Sequence, residues 1–401
     1  MKILYHHRIR SKDGQAVHLE ELVAALRQSG AEVTLCGPES FARAEFGHDP
    51  KLLGKLKAHI PQALYEALEI AYNIPAYLRL SRAFRAAQPD IVYERYNLYM
   101  LAGMWLKRRR GVPVLLEVNA PLAMERAAHG GLALKHLAYR LERWTWRNAD
   151  YVLPVTQVLA DIVGGCGIPP ERIIVIPNGV DPQRFAGQPS ADDAKAALGL
   201  SGKMVLGFSG FVRDWHGLDA IIDWLADPAT PANVHLLVIG EGPARTNLEA
   251  QAARLGVAGR VTFAGLAGRN EIAAMTAAFD VALQPKSVDY ASPLKLFEYM
   301  VSGKAIVAPD QPNIKEVLVD SVSALMFDPN RRETLILALD LLVKEPDLRR
   351  ALGAGARRAI DHPGFTWRKN AERVLALAGQ CISPKTSPKA VRRTGIEAVT
   401  R

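Results

Sequence analysis

Short apolar runs alternate with amphipathic helical stretches along almost the whole chain, and this rhythm limits the fold more than any other feature. KILY opens, VHLEELVAALRQSG carries helical periodicity up to Gly30, and EVTLCGP returns to a strand pattern. PDIVYE, VPVLLEV and ADYVLPVT follow as further strands, with helical stretches such as LALKHLAYRLERWTWRN between them. Repeated strand–helix order of this kind implies a parallel sheet with helices on both faces.

The rhythm pauses at IIVIPNGVDPQRF and the polar GQPSADDAKAA, then restarts with MVLGFSG, VHLLVIGEG, RVTFAG, DVALQP and AIVAP. A chain of 401 residues is long for one core, so the pause reads as a domain boundary. The expected fold is α/β, with two Rossmann-like doubly wound domains at 1–185 and 186–365 facing across a cleft. A last helix at 366–382 is free to return to the first domain, and the basic tail at 383–401 has a disordered composition. The net charge of +9 favours anionic partners. Three scattered cysteines suit a reducing compartment and exclude a disulfide scaffold. The N-terminal apolar run is too short for a signal peptide, and no stretch reaches the ~18 apolar residues of a membrane span. The expected location is cytoplasmic, open to peripheral attachment at the inner face of the plasma membrane.

Ligands of doubly wound sheets bind at the carboxyl ends of strands, so the chemistry belongs in the loops there. In HHRIRSKDGQAVHLEEL, Gly14 opens a helix whose N-terminus suits an anion, with Arg8, Arg10 and Lys12 nearby. A plain strand-to-helix turn accounts for it equally. In GFSGFVRDWHGLD, Arg213 can clamp a diphosphate and a protonated His216 can add a second donor. VIGEGP has the turn glycines Gly240 and Gly242 without a third at dinucleotide spacing. In SPLKLFEYM, Ser292 reads as an N-cap and Pro293 as the first helical residue, so the N–H groups of Leu294 and Lys295 face an anion. Glu298 lies one turn deeper, placed for two ribose hydroxyls; an ion pair with Lys295 is the alternative. EVNAPLAMERAAHGG offers Asn119, Glu125 and His129, and in YERYNLY Arg95 either pairs with Glu94 or faces the cleft.

Taken together these segments resemble the family 4 (group 1) retaining glycosyltransferases of the GT-B fold, in particular members that assemble surface and exopolysaccharides. The carriers are SKDGQAVHLEEL, IIVIPNGVDPQRF, SGFVRDWHGLD, LLVIGEGP, RVTFAGL and SPLKLFEYMVSGKAIVAP, in family order over nearly the whole chain. The resemblance implies transfer of a sugar from a UDP- or GDP-linked donor to a saccharide or polyprenyl-linked saccharide hydroxyl, with retention. It places Gly14, Leu294 and Lys295 at the donor diphosphate, Glu298 at the ribose and Leu266 by the base. Arg213 supplies charge in a loop where the family has Arg and Lys at positions held here by Phe211 and His216. Tyr290 stands where many members carry a sugar-binding Glu, with Asp289 beside it, and Asn119 stands in the acceptor-side loop that usually holds a His. The implied catalytic set is Arg213, Lys295 and Asn119. No Asp-x-Asp follows a strand, so neither a metal nor a cofactor beyond the nucleotide sugar is expected.

Those two departures keep an alternative open, a non-catalytic nucleotide-sugar-binding partner of a polysaccharide assembly system. Nucleic acid is not an expected partner, because an aromatic platform and a recognised binding motif are both missing. KLLGKLKAHIPQALYEALEIAYNIPAYLRL, with Lys51, Lys55 and Lys57, and WLKRRRG suit an anionic membrane surface or, equally, a solvated basic face.

Overall fold

A computed structural model of the chain describes residues 1–9, 14–38, 60–128, 130–269, 271–361 and 364–382. Arg10, Lys12, Lys51, Lys55, Lys57, His129 and the tail at 383–401 lie outside the described residues.

The first domain is a five-stranded parallel sheet in the order β2-β1-β3-β4-β5. Its strands are β1 (Lys2–His6), β2 (Glu32–Cys36), β3 (Ile91–Arg95), β4 (Val114–Val118) and β5 (Tyr151–Pro154). Both faces are covered, so the strands read as nearly continuous apolar runs. Ile3 and Tyr5 pack into one core and Leu4 into the other, as the period of two requires. Helix α1 (Gly14–Gln28) belongs to the first layer. The second layer and its flank hold α2 (Gln62–Ala71), α3 (Asn73–Ala87), α4 (Ala102–Arg110) and α5 (Lys135–Asn148). The single amphipathic stretch read from sequence is thus two helices, with Tyr72 between them.

The second sheet has six parallel strands in the order β11-β10-β9-β6-β7-β8. They are β6 (Met204–Ser209), β7 (Val234–Ile239), β8 (Val261–Gly265), β9 (Val281–Leu283), β10 (Ala305–Pro309) and β11 (Leu325–Phe327). The three-residue β11 escapes sequence reading because it is short and half-buried. Helix α6 (Leu294–Val301) lies between β9 and β10, and buries Leu296, Phe297, Tyr299 and Met300 completely. The last helix, α7 (Trp367–Ile382), packs on α1, and its Trp367, Ala371, Val374 and Ala378 join the core of the first domain.

In each sheet the first strand has a neighbour on either side, one reached forward and one backward along the order. The crevice of a doubly wound sheet opens at that reversal. The start of α1, which follows β1, and the loop after β6 therefore both border the space between the domains.

Candidate active site between the domains

A cavity of about 710 Å³ fills that space and draws its lining from both domains. From the first come Gly14, His18, Glu21, Arg95, Asn119 and Glu125; from the second come Gly210, Arg213, His216, Gly240, Leu266, Lys295 and Glu298. Ser292, Pro293 and Leu294 also reach it.

Helix α6 forms one wall, and its start differs from the sequence expectation. Pro293 occupies the N-cap position, with no side-chain cap, and Ser292 is drawn away from the helix. Asn178 donates its backbone N–H to Ser292 Oγ at 3.3 Å and its side-chain amide to the Ser292 carbonyl at 2.5 Å. A partner from a distant loop outcompetes the local cap. The first N–H groups of α6 are thereby left without a side-chain acceptor beside the cavity, an electropositive end worth about 0.3–1 kcal/mol toward an anion.

Lys295 Nζ lies 3.6 Å above the centroid of the Phe208 ring, at the end of β6. Among the described residues it makes no ion pair with Glu298. The alternative of a local pair, open on sequence, is therefore not what the structure adopts. Burial pushes the Lys295 ammonium down to about 7, against a raising influence from Glu298. Burial likewise pushes the Glu298 carboxyl up to about 7, while Lys295, Arg184 and Arg269 act to lower it and Glu21 to raise it. An anion-binding ammonium and a hydroxyl-accepting carboxylate thus stand one turn apart with their polar ends unspent on each other.

The loop after β6 corrects a second expectation. His216 is buried and held down at about 3 by burial and by the charges of Lys295 and Arg213, so it is neutral and not a cationic donor. Its Nδ1 accepts the backbone N–H of Arg213 at 3.1 Å, which puts the ring proton on Nε2. Arg213 is exposed at the rim, with its guanidinium 5.0 Å over the Phe211 ring. Gly240 lines the cavity; a Cβ there would lie 2.0 Å from the Gly210 carbonyl oxygen. Gly242 does not line it. A Cβ on Gly242 would meet the Val212 carbonyl oxygen at 2.1 Å, so that glycine serves packing between two loops. Leu266 follows β8 and is 43% exposed to the cavity side.

Asp289 and Tyr290 do not line the cavity, against expectation. Asp289 accepts the Gln311 amide at 2.8 Å. Tyr290 packs against the core of the first domain, its carbonyl takes the Thr156 hydroxyl at 2.9 Å, and its phenol meets Glu125. Asp289 is thus held within the second domain, while Tyr290 crosses to the first and ends at Glu125, a residue of the cavity lining. Arg8 is also committed elsewhere, 3.7 Å from Glu69 and over the Tyr72 ring.

On the first domain's wall Arg95 pairs with Glu117, while Glu94 goes to His6 at 2.6 Å. Asn119 donates to the same Glu117 at 2.5 Å. His18 lies 3.1 Å from Glu117 through Nε2 and 2.7 Å from Asn178 Oδ1 through Nδ1. Glu21 binds Arg184 at 3.0 Å and Arg269 at 3.1 Å, and Arg269 also pairs with Glu20, so this cluster joins α1 to the loop after β8. Sequence reading passed over His18, Glu21, Glu117, Asn178, Arg184 and Arg269. A signal for two of them was present: Gly14, His18 and Glu21 fall on one face of α1, where polar residues interrupt an apolar helix. Among the described residues no group of three or more His, Cys, Asp or Glu is placed to hold a metal.

Comparison with known proteins agrees with this frame. Residues 12–184 match the model of Glycosyltransferase Family 4, and residues 190–359 match that of Glycosyl transferases group 1. The D-inositol 3-phosphate glycosyltransferase of Actinosynnema mirum is 26% identical over 395 residues, 92% of each chain. The GDP-mannose-dependent alpha-mannosyltransferase of Mycobacterium tuberculosis is 25% identical over 59% of this chain and 61% of its own. Among solved structures, Anabaena HepE in complex with UDP has a TM-score of 0.74 at 19% identity, covering 95% of this chain and 100% of its own. WaaG, a glycosyltransferase involved in lipopolysaccharide biosynthesis, has a TM-score of 0.67 at 18% identity, covering 94% of this chain and 99% of its own. With one family model laid on each of the two facing domains, the chain belongs to the family 4, group 1, glycosyltransferases and has the GT-B fold.

Proposed function

We propose that the chain transfers a hexose from a UDP- or GDP-linked donor to a hydroxyl of a saccharide or polyprenyl-linked saccharide, with retention, in surface or exopolysaccharide assembly. The nucleotide sugar is a co-substrate, and the transfer needs no metal. One observation carries the reading: Lys295 and Glu298 face the cavity from one helix end, with no ion pair between them. That order, cation and helix end first and carboxylate one turn on, fits a diphosphate followed by a ribose. Leu266 and Gly14 flank the same path. HepE, the similar structure, has been solved with UDP and with UDP and glucose.

Departure of the nucleotide leaves negative charge on the β-phosphate. Lys295, the α6 N-terminus and Arg213 meet that charge where it develops, and removal of one such donor costs about 10²–10³ in rate in comparable sites. Neutral His216 adds an Nε2–H donor in the same loop. The leaving phosphate itself takes the acceptor's proton on the departing face, which accounts for retention without a side-chain base. Asn119 lies on the acceptor side.

The test is a panel of UDP- and GDP-sugars, with hydrolysis, thermal stabilisation and product anomericity read with and without EDTA. Glu298→Ala should abolish hydrolysis of the donor that wild type accepts. The alternative of a non-catalytic binding partner gains if wild type binds a nucleotide sugar yet turns over none. Loss of activity in EDTA, or an inverted product, would remove the corresponding part of the reading.

The acceptor reading extends to an anionic membrane surface. Leu64, Leu68, Ile74 and Leu78 are 52%, 52%, 63% and 50% exposed on α2 and α3. The acidic residues of α2 to α5, Glu66, Glu69 and Glu142, are all buried, while Arg82, Arg108, Arg140 and Arg143 are exposed. Helices that expose large apolar side chains and unbalanced arginines suit anionic lipid headgroups over an apolar interior.

A further inference from the structure

Glu117 sits near the end of β4, 2% exposed, behind the cavity wall and outside its lining. Five side chains converge on its carboxylate. Oε1 accepts from Asn119 Nδ2 at 2.5 Å and from the Arg95 guanidinium. Oε2 accepts from the Tyr93 hydroxyl at 3.0 Å and the Tyr5 hydroxyl at 3.1 Å, and His18 Nε2 lies 3.1 Å away. Burial works to raise its carboxyl, yet the charges of His18 and Arg95 outweigh burial and hold it well below the usual carboxylate range. Burial and the same carboxylate push the Tyr5 and Tyr93 phenols up.

A buried ion cluster replaced by apolar residues of similar volume is often neutral or more stable, so its presence points to orientation. Three of the five partners, His18, Arg95 and Asn119, line the cavity on the wall opposite α6. Each meets Glu117 from the cavity side, and His18 is held at its other nitrogen by Asn178 Oδ1 at 2.7 Å. On the opposite wall Asn178 grips Ser292 through two hydrogen bonds that do not involve Glu117, so the two walls touch at His18 alone of the three.

We propose that Glu117 is a positioning residue for the acceptor side of the transfer. By fixing the rotamers of His18, Arg95 and Asn119, it sets the surface from which the attacking hydroxyl is presented to the donor. This rests on the nucleotide-sugar reading above.

The experiment compares wild type, Glu117→Gln and Glu66→Gln in hydrolysis of whichever UDP- or GDP-sugar wild type cleaves, with UDP or GDP as the binding probe. Glu66 is the control: it is fully buried and accepts from the Tyr99 hydroxyl at 2.7 Å and the Ala133 N–H at 2.6 Å, and neither residue lines the cavity. Glu117→Gln keeps the shape and removes the charge. Its kcat should fall about 10- to 100-fold, as misplacement of reacting groups does, with donor KM and nucleotide Kd within about twofold of wild type. Glu66→Gln should lower Tm with kcat within about twofold of wild type. Should Glu117→Gln fail to fold, Glu117→Asp, which keeps the charge on a shorter arm, should show the same split. A kcat near wild type in the Glu117 variant, or kcat, nucleotide affinity and Tm falling together, overturns the proposal. Wild type that neither binds nor cleaves any nucleotide sugar overturns the underlying reading instead, and this inference with it.

Discussion

Lys295 and Glu298 meet near pH 7 from opposite directions, because the same burial disfavours the charged form of each. The sign of the pH effect follows for the lysine. Its ordinary value is 10.5 and in the empty site it is about 7, so above about pH 7 the free site holds a neutral amine. A bound diphosphate restores the ammonium, and binding must then take up a proton. Nucleotide affinity should fall about tenfold per pH unit above the free-site value, until the value of the bound state is reached. Calorimetry in buffers of different ionisation enthalpy should report proton uptake for wild type and none at Lys295 for Lys295→Met. Equal proton uptake in the variant would place the titrating group elsewhere. At this scale much of the site was legible. Helical spacing put Lys295 and Glu298 on one face, and a strand end put Arg213 in a loop. The protonation of His216 was not legible, since neutrality there comes from burial and two neighbouring charges supplied by the fold.

Helix α6 works because its apolar side is anchored to the strand that precedes the other anion loop. Tyr299 is fully buried and its hydroxyl accepts the Ser209 backbone N–H at 2.8 Å, at the end of β6. Ser209 Oγ reaches the same hydroxyl at 3.3 Å, and the two bonds tie the Lys295–Glu298 face to the Gly210–Arg213 loop. Tyr299→Phe leaves that N–H buried without a partner and should cost about 1–3 kcal/mol. Thermal unfolding should show the loss, and nucleotide affinity should weaken with it because both anion loops are held by the same contact. An unchanged affinity at lowered Tm would mean that α6 and the loop are positioned independently. Sequence periodicity located α6 and its buried side, but its cap was misread. Ser292 has the right local chemistry for capping, and only Asn178, 114 residues away in the chain, decides that it does something else. Tyr290 and Asp289 likewise take partners that local sequence does not announce, Glu125 and Gln311.

One side of the first domain meets the second across the cavity, with α7 crossing back to pack on α1. The same domain exposes Leu64, Leu68, Ile74 and Leu78 on α2 and α3 and arginines on α3 to α5. Co-sedimentation should therefore rise with the anionic fraction of phospholipid vesicles and fall with salt, since the attraction to each arginine is screened over about 10 Å at 0.1 M. The paired substitutions Leu68→Glu and Ile74→Glu should abolish sedimentation while leaving hydrolysis of a water-soluble donor intact. Binding indifferent to lipid charge would sink the membrane reading.

From the order of residues alone came the parallel sheets, the pause between two domains, the basic balance and the run of family segments, because each depends on local periodicity or on spacing along the chain. The tertiary structure alone decided the Glu117 cluster, the neutral His216, the Asn178–Ser292 grip and the joining of α1 to Arg269. Those depend on which distant groups share a buried space, and burial sets both the protonation of a side chain and the partner it must find.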